Sequence, residues 1–392
     1  MKSIKAFLAA LVLFVISAAG IHLFVNHNLP SYGISYGTWI DHSKYGCHAA
    51  LEKLLDGTET IPVFGSSELR HGQKSGFHAD TVFRNSDMEP VFIGEAGYQS
   101  LNHAITLGSL GKQLSGKKVV LIVSPQWFKS KGVVKNAFGN SFSEDNFIAF
   151  LQNTSISDKE KDYVIKRAKK LTKGNRILYR KVCNDARWYS GSQLTAADLL
   201  VKEVHSFLVQ YKSQTGLLTR MQLKGIQGGP DNGTQSGISQ VTWGKLWQKA
   251  QERGEKLSGG NDFGMYDAIY EKVYKPKLES GTIKKPTYTK DSVEFEDLEC
   301  FLQICQEENI KPLIVMLPFN GYWYDKIGVD SAQRADIYQK VSKITQKYQA
   351  AYADLSGNEY DQYYFEDNSH PALEGLVNLN ETIYDFYKGD SE

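Results

Sequence analysis

Two short stretches at opposite ends of the chain carry residue types that can share a proton. The first is Gly65-Ser66-Ser67-Glu68, where serine hydroxyls follow a glycine. The second is Asp367-Asn368-Ser369-His370-Pro371, where a carboxylate precedes an imidazole by three residues. A serine hydroxyl is inert until a base takes its proton. An imidazole serves as that base when a carboxylate holds its other nitrogen. Each half also has a plainer use: either serine can cap a helix, and an Asp-x-x-His can cap or decorate a surface. The two halves become chemistry only if the fold brings them to one sheet edge.

The elements around them follow an α/β rhythm. Ile61-Pro62-Val63-Phe64 is a short β-branched and aromatic strand broken by Gly65, and a helical stretch is expected from Glu68. A serine at the start of such a helix has its oxygen beside unsatisfied N–H groups at the positive end of a dipole. Further strands are expected at Val91-Phe92-Ile93, Lys117 to Val123, Lys311 to Pro318 and Ala351 to Leu355. Helical spacing fills the gaps at Leu101 to Leu114, Val293 to Glu308 and Ser331 to Gln349, with a terminal helix through Leu376 and Ile383. Alternating strands and helices predict a mostly parallel sheet with helices on its faces, and continuous apolar runs suit strands buried on both sides. A histidine just before Pro371, a residue suited to a first helical turn, can reach the C-terminal edge where ligands of open α/β sheets bind.

Met1 to Asn28 has Lys2 and Lys5 ahead of an apolar run from Phe7 to Val25, about the length needed to cross a bilayer. The next basic residue after the run, other than histidine, is Lys44, so the charge bias puts the N-terminus in the cytoplasm and the bulk of the chain outside. The rival is a cleaved signal peptide with Ser17-Ala18-Ala19 as its site; the apolar residues that continue past it favour an uncleaved anchor. Residues 29–59, with Pro30, Gly33, Gly37 and Gly46, read as a juxtamembrane connector in which a helix is expected over Ala49 to Leu55. Residues 60–128 and 291–392 form the expected catalytic domain, and 129–290 a mostly helical insertion or cap. Gly225 to Gly237 within it reads as a loop.

The 392 residues carry a formal net charge of +1, so no global field points to nucleic acid. Four cysteines lack any C-x-x-C spacing, no histidine spacing suggests zinc, and Cys305 shares a core stripe with Leu298, Phe301 and Leu302. His71, His78 and His103 are expected in the core or on the surface, and Glu68 as a first-turn acid. Trp127 and Trp323 follow strand ends, which puts them near the expected cleft.

Gly65-Ser66-Ser67 and Asp367-x-x-His370-Pro371 resemble the Gly-Asp-Ser and Asp-x-x-His blocks of SGNH/GDSL hydrolases. With Ser124-Pro125-Gln126-Trp127-Phe128 and Asn320-Gly321-Tyr322-Trp323-Tyr324-Asp325, the chain is similar to the DltD family of membrane-anchored proteins that serve teichoic acid D-alanylation in Gram-positive bacteria. The resemblance implies an SGNH-hydrolase-like (flavodoxin-like) three-layer sandwich with a helical insertion and one N-terminal transmembrane helix. It also implies Ser67 as nucleophile, His370 as base and Asp367 as its orienting partner. Ser66 stands in place of the usual aspartate at the cleft, Gly97 supplies one oxyanion donor, and Gln126 replaces the usual asparagine as the other. No metal or diffusible cofactor is required. The implied partners are a teichoic acid acceptor, the membrane acyltransferase, the D-alanyl carrier protein and the membrane. Two rivals keep the fold: a cell-wall esterase or thioesterase with the same triad, and a non-catalytic scaffold that binds the carrier protein.

Overall fold

The computed structural model describes residues 2–73, 75–190, 193–229 and 241–389, so residues 230–237 of the expected glycine-rich loop lie outside the described residues. Five parallel strands, β1 (Thr60–Phe64), β2 (Glu89–Ile93), β3 (Lys118–Val123), β4 (Lys311–Met316) and β5 (Ala351–Asp354), form one sheet in the order β2-β1-β3-β4-β5. The continuous apolar runs behave as expected of central strands. All of β1 is buried, and so is β3 from Val119 onward, because both faces are covered.

The register aligns Phe64 with Ile93 and Leu121, and Val123 with Met316, so four strands end along one edge. In this order the chain leaves β1 toward β2 on one side and β3 on the other. The crevice beyond the C-terminal ends of β1 and β3 is therefore a topological switch point, where open α/β sheets leave room for a ligand.

The helices that matter below are α1 (Lys2–His27), α2 (Ser100–Ser109), α3 (Arg176–Tyr189), α4 (Ala196–Lys224), α5 (Trp243–Ser258), α6 (Glu294–Glu307), α7 (Ser331–Lys347) and α8 (Leu373–Lys388). α2 and α6 share one core with one side of the sheet: Leu101, Leu298 and Phe301 lie with Phe64 and Leu121, and the Phe301 ring meets Phe64 edge-on at 5.7 Å. α8 covers the other side through Leu379 and Ile383, which join Val63, Val120 and Val315. The result is three layers. Arg334 of α7 is fully buried; its Nε donates to both oxygens of Glu359 at 3.0 and 3.1 Å and its Nη1 to Asp325 at 2.7 Å. This braces the segment after β5 that leads to Asp367.

Residues 29–59 are more than a connector. They contain three short helices, and Tyr36, Tyr45, Leu51 and Leu54 are buried in the main core. The insertion starts and ends side by side: Lys129 bridges Tyr288, and the Thr289 N–H donates to the Phe128 carbonyl at 3.0 Å. Its α5 returns to pack on α8, with the Trp243 ring 5.8 Å from Tyr384. All four cysteines are unpaired. Ile4–His27, 24 residues, is long and apolar enough to cross a membrane, and its large side chains are almost all bare.

Candidate active site

Ser67 owes its position to tight packing at the ends of β1 and β2. The Gly65 N–H donates to the Ile93 carbonyl at 3.1 Å. Gly94 follows at φ +129°, where an added Cβ would fall 2.0 Å from the Gly65 oxygen, so only glycine fits. The chain then makes one 3₁₀ turn, Ser67–Arg70, and not the helix expected from Glu68. So short a turn has little macrodipole, and neither serine caps it through its side chain. The Ser66 hydroxyl is drawn instead to the Glu95 carbonyl, 3.3 Å away. The Ser66 N–H donates to the buried Glu68 carboxylate. Burial pushes the Glu68 carboxyl up from its usual range, against hydrogen bonds from the N–H groups of Ser66 and Glu68. Glu68 thus pins the turn from beneath, a role beyond that of a first-turn acid.

The His370 loop is closed on itself. Phe365 bridges Pro371, the Glu366 N–H donates to the His370 carbonyl at 3.0 Å, and the Ala372 N–H donates to Tyr364 at 2.8 Å. Pro371 closes this bridge rather than opening a helix, because α8 starts only at Leu373. Within the loop, Asp367 Oδ1 accepts the N–H groups of Ser369 and His370 at 2.7 and 2.8 Å, and Oδ2 lies 2.7 Å from His370 Nδ1. His370 Nε2 lies 2.8 Å from Ser67 Oγ. The two stretches that sequence alone could not join are therefore within one hydrogen bond of each other. Burial works against the charged imidazole, but the hydrogen bond and charge of Asp367, backed by Glu68 and Glu366, outweigh it and raise His370 above its usual value. Burial opposes the Asp367 charge too, yet the His370 ring and the two N–H donors hold that carboxyl below its usual range.

Gly97 and Gln126 come from the loops after β2 and β3, and both line the hollow above Ser67, a space of about 190 Å³ that Ser66, Trp127 and His370 also face. Among the described residues, the N–H groups of Ser67 and Gly97 and the Gln126 amide donate to no other protein group, so they are free to meet an oxyanion. Trp323 lies elsewhere. It is buried against Phe263 and Tyr274, in the first turn of a short helix that Asn320 caps. It acts on the site only from behind, since the Tyr274 hydroxyl donates to Asn368 Oδ1 at 2.7 Å.

His71 is the residue that sequence reasoning missed. Its ring stacks on His370 with centroids 3.8 Å apart and planes 13° from parallel, and its Nδ1 pairs with Glu366. Its only sequence signal was its place four residues after Ser67. His78 and His103 are core residues as expected. His71, Glu366 and His370 bring metal-binding atoms close together, but the stacked rings direct their lone pairs side by side, and both His370 nitrogens face Asp367 and Ser67. A second such group, Glu144, Asp185 and His205, shares no residue with the hollow.

The family described as DltD protein matches residues 40–388. Protein DltD of Bacillus subtilis (strain 168) is 30% identical over 346 residues, covering 86% of this chain and 84% of that protein. Protein DltD of Staphylococcus aureus (strain NCTC 8325 / PS 47) is 24% identical over 348 residues, covering 87% of this chain and 84% of that protein. Protein DltD of Lacticaseibacillus rhamnosus is 27% identical over 342 residues, covering 84% of this chain and 77% of that protein.

Proposed function

This chain belongs to the DltD family, and on that premise we propose that it is a membrane-anchored, extracytoplasmic serine acyltransferase with an SGNH-type site that D-alanylates lipoteichoic acid. The observation that carries the reading is the proton path from Ser67 Oγ to His370 Nε2 at 2.8 Å, with Asp367 2.7 Å behind the ring. In the first half-reaction Ser67 Oγ attacks the carbonyl carbon of an activated D-alanyl donor and passes its proton to His370. The tetrahedral oxyanion meets the N–H groups of Ser67 and Gly97 and the Gln126 amide. Collapse expels the donor's thiol or alcohol, which takes the proton from His370, and leaves D-alanine esterified to Ser67.

In the second half, His370 deprotonates a hydroxyl of the polyol phosphate polymer, which attacks the Ser67 ester. The new oxyanion collapses, the polymer leaves as D-alanyl ester, and Ser67 Oγ recovers its proton. The membrane acyltransferase and the D-alanyl carrier protein of the same pathway supply the donor, α1 holds the protein to the cell membrane, and neither metal nor diffusible cofactor takes part.

The test is partition of the acylated protein. Full-length protein carrying D-alanine on Ser67 is mixed with a glycerol-phosphate oligomer, and D-alanyl oligomer and free D-alanine are counted. Transfer to the oligomer in excess over release to water is the expected result. Rapid release to water that the oligomer does not divert would identify an esterase, and in cells full D-alanylation by Ser67→Ala would identify a scaffold.

A further inference from the structure

We propose that the hairpin of α3 and α4 is a second membrane foot, whose apolar face rests in the outer leaflet of the bilayer beside α1. The inference rests on α1 spanning the membrane and is independent of the acyl chemistry.

The first turns of α4 carry Leu200, Val201, Val204 and Leu208, which are 68%, 50%, 51% and 54% exposed. Their spacing of one, four and eight residues places them on one stripe of the helix, with Phe207 and Tyr211 beside them. A soluble surface does not collect four bare aliphatic side chains on one stripe without a partner.

The same stripe is where α4 meets α1. The Phe207 ring lies 5.1 Å from the His22 ring. His22 is one of the few polar residues of the span, and it turns toward α4 rather than outward, the orientation a polar group takes within lipid. Ala18, His22 and Val25 are the residues of α1 nearest to this contact that are not exposed.

The direction of α4 follows from its other end. Arg220 Nε bonds Asp41 at 2.8 Å, and Ser213 Oγ bonds Asp145 at 2.6 Å, both on the folded body. The body thus holds the C-terminal half of α4, and the apolar stripe lies on the N-terminal half that leaves it. His22 is three residues inside Val25, the last residue of the apolar run, so its contact with Phe207 lies roughly 5 Å within the apolar layer at 1.5 Å per residue. That is the depth at which interfacial amphipathic helices bury their apolar face.

The charges at the tip suit a headgroup layer. Lys202 Nζ lies 4.7 Å over the Tyr189 ring, and Arg187 pairs with Asp198, so both long side chains lie along the hairpin, where their heads can snorkel to the lipid phosphates. The bilayer is the occupant because α4 meets the span itself, at Phe207 on His22, and the stripe starts from that contact. A second membrane helix or a second copy would need the same surface, and the test separates these.

Full-length protein with Cys183→Ser, the other three cysteines being buried, is reconstituted in vesicles of phosphatidylcholine and phosphatidylglycerol. A nitroxide is attached at Leu200→Cys or Leu208→Cys, and its collisions with oxygen and with a water-soluble nickel chelate are measured. Val12→Cys in α1 reports on the span itself, and Leu223→Cys, 76% exposed near the end of α4, reports on water. The expected result is several-fold fewer nickel collisions at positions 200 and 208 than at 223, with oxygen access retained. Nickel access equal to that of position 223 overturns the proposal. Shielding from both quenchers overturns it too, since protein would then cover the face. If Val12→Cys is also open to nickel, the anchor reading has failed instead.

Discussion

Asp367→Asn is the sharpest perturbation of the site because it changes one atom and no volume. In the parent, Oδ1 accepts two backbone N–H groups at 2.7 and 2.8 Å while Oδ2 faces His370 Nδ1 at 2.7 Å. An asparagine cannot accept on both sides. If its oxygen keeps the two backbone bonds, each worth about 1 kcal/mol net, its NH₂ faces the ring. Nδ1 must then accept, the ring proton moves to Nε2, and Nε2 donates to Ser67 instead of taking its proton. If the amide flips, its NH₂ confronts two N–H donors and both backbone bonds are lost. The first state wins, and it has no base. The same change in a serine-protease triad costs on the order of 10⁴-fold, roughly 5 kcal/mol of transition-state stabilisation. The rate of Ser67 acylation by an activated D-alanyl ester, followed by intact mass, should fall by about that factor while the melting temperature stays within a few degrees. Acylation within tenfold of the parent would refute the role assigned to Asp367.

The base must be neutral to act, so acylation should rise with pH through an inflection above 6.5, the ordinary value from which His370 is raised, and the Asn variant should shift that inflection down. The linked stability runs the other way: the protonated, paired ring stabilises the fold fully below the unfolded value and loses that contribution as pH climbs through the raised one. His71→Ala removes the ring stacked on His370 and should slow acylation about 2- to 10-fold, the equivalent of an aromatic pair worth about 0.5–1.5 kcal/mol. His71→Phe should restore most of that rate if stacking is the cause, and leave it low if the Glu366 contact is. Gly97→Ala would put a Cβ 3.1 Å from that of Ala137 at φ +92°, costing about 1–2 kcal/mol of backbone strain. By displacing an oxyanion donor it should also slow acylation about 100-fold; a melting-temperature drop with an unchanged rate would remove Gly97 from the site.

The sheet was legible because buried parallel strands leave continuous apolar runs, and Val119 to Val123 or Leu313 to Met316 can be little else. Ser67, Asp367 and His370 could be singled out by residue type and spacing, but their meeting depends on strand order, which periodicity does not encode. What escaped was set by tertiary packing. Glu68 reads as a first-turn acid until burial beneath Ser66 is seen, and His71 reads as one histidine among several until its ring is found on His370. Trp323 reads as a cleft residue from its place after β4, yet its ring is buried against Phe263 and Tyr274. Residues 29–59 read as a connector from their glycines, with a helix over Ala49 to Leu55; what that reading missed is the burial of Tyr36 and Tyr45 in the main core.

The most direct measurement is the mass of the intact protein after exposure to an activated D-alanyl donor, with peptide mapping of the adduct. The account predicts one alanyl group on Ser67, absent in Ser67→Ala and slow to form in His370→Ala. An adduct that forms equally fast without His370, or that maps to another residue, would contradict it.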